Sequence, residues 1–286
     1  MRLLIVNPNT SDEVTDLIRA EAARSAGPDT RLDVRTAPHG VQYIETRLES
    51  LIAAGAVAEV VADAFQNDDD ARPDAVVVAA FGDPGMPALK ELADVPVLGI
   101  TEAALCAAAL QGSRFSIIAI SPRITAWYRD CVERFGFGAR LASIHSIKEE
   151  LNGIGTVQQD FAETLVELAN RAVQEDGADV VILAGAPLAG LAREVAHRIP
   201  VPVVDGISAG VRLAEAVAGL ACGTHRAGSY ACPPPKPRAG LSAGLDAHLA
   251  ARQAAGADTA TAAPAAAAPA AAPATAPVTA AAGATA

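Results

Sequence analysis

Aromatic residues make up only 3% of the 286 residues, with a single Trp, so the core has to be built from Val, Ile, Leu and Ala. Positive charge is also scarce. There are 22 Lys and Arg against 33 Asp and Glu, a net charge of -11. A basic footprint for a phosphate backbone is therefore missing, and nucleic acid is excluded as an expected partner. The acidity serves solubility and says little about a ligand. No run of ~18 consecutive bulky apolar residues exists, so no membrane span is expected. The opening MRLLIVNPNT has too short an apolar run for a secretory signal and passes into a polar turn. Cys106, Cys131, Cys222 and Cys232 are scattered without a CxxC pair. That excludes a disulfide framework or zinc knuckle and fits a reducing cytoplasm. No His spacing suits a metal, and neither metal nor other cofactor is expected.

What is present is a regular alternation. Runs of β-type residues occur at Arg2–Val6, Arg31–Ala37, Asp74–Phe81, Val95–Ile100, Arg114–Ser121, Arg140–Ile147, Asp179–Gly185 and Val201–Gly206. Helical stretches separate most of them, and Thr10 with Glu13 fits a capping box for the first. Apolar runs that do not alternate, divided by helices, mean parallel strands covered on both faces. DAVVVAAFGDPG followed by VPVLGITEAA is echoed about 105 residues later by DVVILAGAPLAG followed by VPVVDGISAG. The expected fold is therefore α/β, two similar lobes, each a mostly parallel sheet flanked by helices, with a cleft at the carboxyl ends of the strands. Residues 1–100 and 206–245 are assigned to the first lobe and 101–205 to the second. Residues 246–286, rich in Ala and Pro, are read as a disordered tail.

Five short motifs, RLLIVNPNTS, AFGDPG, GITEAA, VVDG and AGSYACPPPK, stand in the order and spacing found in hydantoin racemases of the aspartate/glutamate racemase superfamily. The resemblance covers about residues 1–240. It implies a small heterocyclic substrate in the inter-lobe cleft and a homo-oligomer. It also implies two cysteines on opposite walls, one removing a proton from the stereocentre and one returning it. Here those positions are held by Ala80 and Gly185, and neither a methyl group nor a hydrogen can move a proton.

The binding apparatus looks kept. Asn7, Asn9, Thr10 and Ser11 lie at a helix start, where amides and free N–H groups can meet a ring or an anion. Ala80, Phe81 and Gly82 form the first cleft turn, and Gly185, Ala186 and Pro187 the second. Ser121 and Arg123 fall on the family's Ser-x-Arg stretch, and Glu45 falls on a family glutamate. Candidate bases are Glu45, Asp83, His39 and His145. Kept binding motifs with replaced thiols point to the same kind of ring and a different bond. The expected activity is hydrolytic desulfuration of a 5-substituted 2-thiohydantoin to the hydantoin. The alternatives are a hydantoin or amino-acid racemase using other bases, or a ligand-binding homologue without turnover. His225, in the crossover before Ser229, is read as non-catalytic.

Overall fold

The computed structural model describes residues 1–66, 71–223, 228–231 and 234–262, with side chains of the last helix to residue 254. Eight strands form two parallel sheets of four. The first holds β1 (Arg2–Asn7), β2 (Arg31–Thr36), β3 (Ala75–Val78) and β4 (Val97–Gly99) in the order β2-β1-β3-β4. The second holds β5 (Phe115–Ala119), β6 (Leu141–Ser146), β7 (Val180–Leu183) and β8 (Val203–Asp205) in the order β6-β5-β7-β8. The two orders are the same topology repeated, as the sequence echo predicts. β1 is central in its sheet, with Ile5 beside Val34 on one side and Val77 on the other.

Both faces of β1, β3 and β4 are covered, which is why these strands are apolar without alternation, whereas the edge strand β2 alternates and is only half-buried. Leu3, Ile5 and Val77 face a core that continues through the second sheet. Leu4, Val6, Val76 and Val78 face a second cluster with α2 (Arg47–Ala64) and α3 (Met86–Leu92). Helix α1 (Asp12–Ser25) and α4 (Ile100–Ala109) pack against α8 (Gly206–Gly219), which also covers β3. The second lobe carries α5 (Thr125–Arg134), α6 (Val157–Asp176) and the short α7 (Leu191–Val195).

Two expectations are corrected. Helix α1 is capped by Ser11 rather than Thr10, because the Asn9 carboxamide accepts the Ser11 N–H and delays the helix by one residue. The capping box occurs instead at Thr46 and Glu49, opening α2. The segment from 246, read as disordered, begins as part of a helix, α9 (Ala243–Ala262). Its Leu245 and Leu249 pack on the second cluster, and His248 donates its Nε2–H to Leu92 O, 2.8 Å away. Buried Arg252 pairs with Asp94. Residues 263–286 lie outside the described residues. Among the described residues no helix is long and apolar enough to cross a membrane.

Candidate functional site

The carboxyl ends of β1, β3, β5 and β7 each run into a turn. After β1, Asn7 directs its amide nitrogen to Asn9 Oδ1 at 2.9 Å, Ser11 O at 3.1 Å and Thr15 Oγ1 at 3.0 Å, while its Oδ1 accepts the Asn9 N–H. Asn7 is fully buried and its polar atoms are consumed in holding the turn. It is therefore a positioning residue, not the ligand contact expected from sequence. Ser11 caps α1 through its hydroxyl. The Thr10 N–H donates to Val41 O at 2.9 Å and ties the loop before α2 to this turn.

After β3 the chain must bend sharply. Gly82 has φ +116°, and a Cβ there would stand 2.2 Å from the Trp127 ring, so only glycine fits. Its N–H donates to Thr101 Oγ1 at 2.6 Å. Asp83 follows with φ +47° and is buried. Its two carboxylate oxygens accept the Thr101 and Glu102 N–H groups at 2.9 Å each, capping α4 from outside the helix. A Cβ on Gly99, at the N-cap of α4, would lie 2.0 Å from the Asp83 carboxyl carbon. In the second lobe the N-cap itself carries the carboxylate: Asp205 accepts from Ile207, Ser208 and Gly190 N–H groups at 2.7–2.9 Å. Burial pushes the Asp83 carboxyl up to about 7 against the lowering effect of these donors. Both its oxygens are engaged by the helix start, so the expectation that it is a free base is corrected: it caps α4.

Ala80 and Gly185 are half-buried, while Ala79 and Phe81, and Ala184 and Ala186, are buried on either side of them. In both of these short stretches the chain opens to solvent at one residue. Tyr128 joins the two turns. Its ring lies 4.6 Å from that of Phe81 and 5.8 Å from that of Trp127, and its hydroxyl is 3.9 Å from where a Cβ on Gly185 would stand. Gly185 has φ +116°, a conformation that strains any L side chain. Pro187 packs beneath this turn and its carbonyl accepts from Gln158 Nε2 at 2.9 Å.

Glu45 crosses between the lobes. Its Oε1 accepts the hydroxyl proton of Ser121, at the end of β5. Buried Ser121 also accepts the Arg123 N–H at 3.2 Å, while the Arg123 side chain is exposed. Tyr43 lies beside Ser121 and Glu45, its hydroxyl buried and without a hydrogen bond of ordinary geometry. A second bridge, Arg47 to Asp130, ties the start of α2 to α5.

The two histidines are engaged elsewhere, which corrects their assignment as candidate bases. His39 is half exposed and pairs with Glu59 of α2 at 3.1 Å. His145 stands between Asp176 at 2.6 Å and Arg171 at 2.7 Å, over α6. Of the four candidate bases, Glu45 alone lies between the lobes with an oxygen on Ser121. Cys131 is buried with its Sγ 3.8 Å from Gly82 O, and burial pushes its thiol up to about 12, so it is inert as a base. His225 and Cys232 lie outside the described residues. Among the described residues no group of three or more metal-ligating side chains converges.

Sequence reasoning missed Tyr43, Thr101, Trp127 and Tyr128. A signal for them existed in composition. The chain has three Tyr and one Trp, and two of the former and the latter meet at this cleft.

Residues 3–214 match the family model described as Asp/Glu/Hydantoin racemase. A hydantoin racemase of Paenarthrobacter aurescens is 35% identical over 236 residues, 82% of this chain and 99% of the relative. A solved allantoin racemase from Klebsiella pneumoniae superposes with a TM-score of 0.80 at 33% identity, covering 86% of this chain and 98% of the other. Arylmalonate decarboxylase, at 18% identity and a TM-score of 0.54, shares the fold.

Proposed function

The chain belongs to the Asp/Glu/hydantoin racemase family, and from that premise we propose that it is an enzyme acting on a hydantoin- or allantoin-like ring bound between its lobes, without proton exchange through cysteine. The observation that carries this reading is the pair of open points at Ala80 and Gly185, which have no group able to move a proton, while Glu45 reaches Ser121 between the lobes. Glu45 is the base in this reading, and Ser121 holds its carboxylate in place. Asn9 is a further binding group, because its amide nitrogen donates to no residue in the described chain.

The reaction proposed is addition of water to the thiocarbonyl carbon of a 2-thiohydantoin. Glu45 takes a proton from the attacking water as the C–O bond forms. Glu45 returns that proton to the sulfur of the tetrahedral adduct, the C–S bond breaks, and the adduct's hydroxyl gives up its proton as C=O forms, so that sulfur leaves as hydrogen sulfide carrying both protons of the water. One water is consumed, the C=S bond becomes C=O, and no oxidant or reductant is needed. A thiocarbonyl suits a site with a single carboxylate, because sulfide is a better leaving group than hydroxide.

Racemisation by other bases is the second reading. It is favoured by the identity to proteins named racemases over more than four-fifths of the chain. One incubation separates the two. The protein is mixed in deuterium oxide with an L-5-substituted hydantoin, allantoin and a 2-thiohydantoin, and sulfide, optical rotation and deuterium at C5 are followed together. Sulfide release with C5 exchange at the uncatalysed rate supports hydrolysis. Enzyme-dependent deuteration with an intact ring refutes it and restores racemisation.

A further inference from the structure

Buried hydroxyl groups are almost always hydrogen-bonded, because withdrawing one from water without a partner costs free energy. One phenol at this cleft breaks the rule. Tyr43 Oη is buried beside Ser121 without a hydrogen bond of ordinary geometry, and Tyr128, a buried residue, uses its hydroxyl in no hydrogen bond to a described residue although that oxygen is not among the buried unpartnered atoms. The two hydroxyls are close enough for the charge of one to be felt by the other, and Tyr128 Oη stands beside Gly185, one of the two open points. Ser121, beside Tyr43, gives its proton to Glu45.

We propose that Tyr43 and Tyr128 are ligand-binding donors that together hold one carbonyl or thiocarbonyl oxygen or sulfur of the ring at the Gly185 wall. The inference rests on the reading that a hydantoin-like ring enters this cleft, and deepens it by naming what grips the ring. Burial raises both hydroxyls above the ordinary tyrosine range, so each stays protonated at neutral pH and serves as donor, never as base. Neutral donors aimed at a carbonyl gain strength as negative charge develops on it, which is what attack at the adjacent carbon produces. With glycine at 185, the wall has no side chain between the Tyr128 hydroxyl and the ligand. A side chain there would meet that hydroxyl at contact distance.

The test uses the full chain, with Tyr43→Phe, Tyr128→Phe and the double variant. Binding of hydantoin, allantoin and a 2-thiohydantoin is measured by titration calorimetry, and the stretch of a 13C-labelled hydantoin carbonyl by infrared difference. The expected result is a five- to tenfold weaker Kd for each single variant, with the bound carbonyl stretch moving back toward its value in water. Ligand-free Tm is expected to hold or rise for Tyr43→Phe, which removes an unpaired buried hydroxyl, and to hold for Tyr128→Phe, whose hydroxyl bonds to no described residue. A structural hydroxyl would give the opposite sign, and a Tm falling by many degrees overturns the proposal. Unchanged Kd and an unshifted stretch in both variants overturn it while leaving the ring reading intact. Failure of the unaltered protein to bind any of the three probes overturns both.

Discussion

Replacing Asp83 by Asn should change not only how stable the protein is but how its stability responds to pH. The carboxyl is buried, with its pKa raised from 3.8 to about 7. A group whose folded pKa is raised contributes most below its unfolded value, and that contribution is lost as pH climbs through the folded value. The window is therefore about pH 4 to 7. At about 1.4 kcal/mol per pH unit, the unaltered protein should lose roughly 2–3 kcal/mol from this one group between pH 5 and pH 8. For a chain of this size that is on the order of 5–10 °C in Tm. The Asn side chain cannot ionise, so the variant should lack this slope. It keeps one carbonyl oxygen for one of the two N–H donors of Thr101 and Glu102 and turns an NH2 toward the other. At pH 5 it should therefore be less stable by about 1–3 kcal/mol, and the deficit should shrink or vanish by pH 8. The assay is Tm by circular dichroism at half-unit steps from pH 4.5 to 8.5 for both proteins, taken as a difference so that shared titrations cancel. Parallel profiles would refute the reasoning, because they would mean that Asp83 is ionised at the helix start throughout.

Three more outcomes are expected. Glu45→Gln should lower turnover by about 10²–10⁴ with little change in Tm, whereas His39→Ala and His145→Ala should leave turnover within about twofold, since both rings are hydrogen-bonded away from Glu45 and Ser121; steady-state rates on whichever probe is turned over decide it. Truncation after Ser242 should lower Tm by several degrees or more, because it strips Leu245, His248 and Leu249 from Leu92 and Phe65; a melting scan with unchanged Tm would show that α9 contributes nothing. Glu21→Ala should cost about 1–3 kcal/mol, read by urea unfolding, because this buried carboxylate holds Ser208 of α8 and reaches Arg193 in the other lobe, whose half-exposed guanidinium water can take over.

The inner strands β1, β3, β5 and β7 were readable in sequence for a physical reason: strands buried on both faces tolerate few polar residues, so their apolar runs are nearly unbroken, whereas the half-buried β2 and β6 carry polar residues between apolar ones. Helix α9 was not. Leu245, His248, Leu249 and Arg252 recur at i, i+3, i+4 and i+7, as a packed face should, but alanine fills the positions between and hides the contrast. The site was half legible. Turn motifs located Ala80, Gly82 and Gly185, and Glu45 was named among four candidates. Nothing local could reveal that Asp83 reaches Thr101 and Glu102 across the sheet end, or that His145 is already shared between Asp176 and Arg171. Such pairings belong to the topology, not to the motif.

The two ways of capping α4 and α8 carry a consequence for how this chain can change. Each lobe needs one carboxylate at the same point, supplied by the turn in one lobe and by the strand end in the other. An aspartate installed at Gly99 would collide with the one already delivered from position 83, and removing Asp83 alone would leave the helix start bare. Neither single step is neutral, so the internal symmetry of the backbone cannot be restored in sequence one substitution at a time. Descendants of this chain are held on one side of an epistatic divide, with the same carboxylate reaching the same helix start by a different route in each lobe.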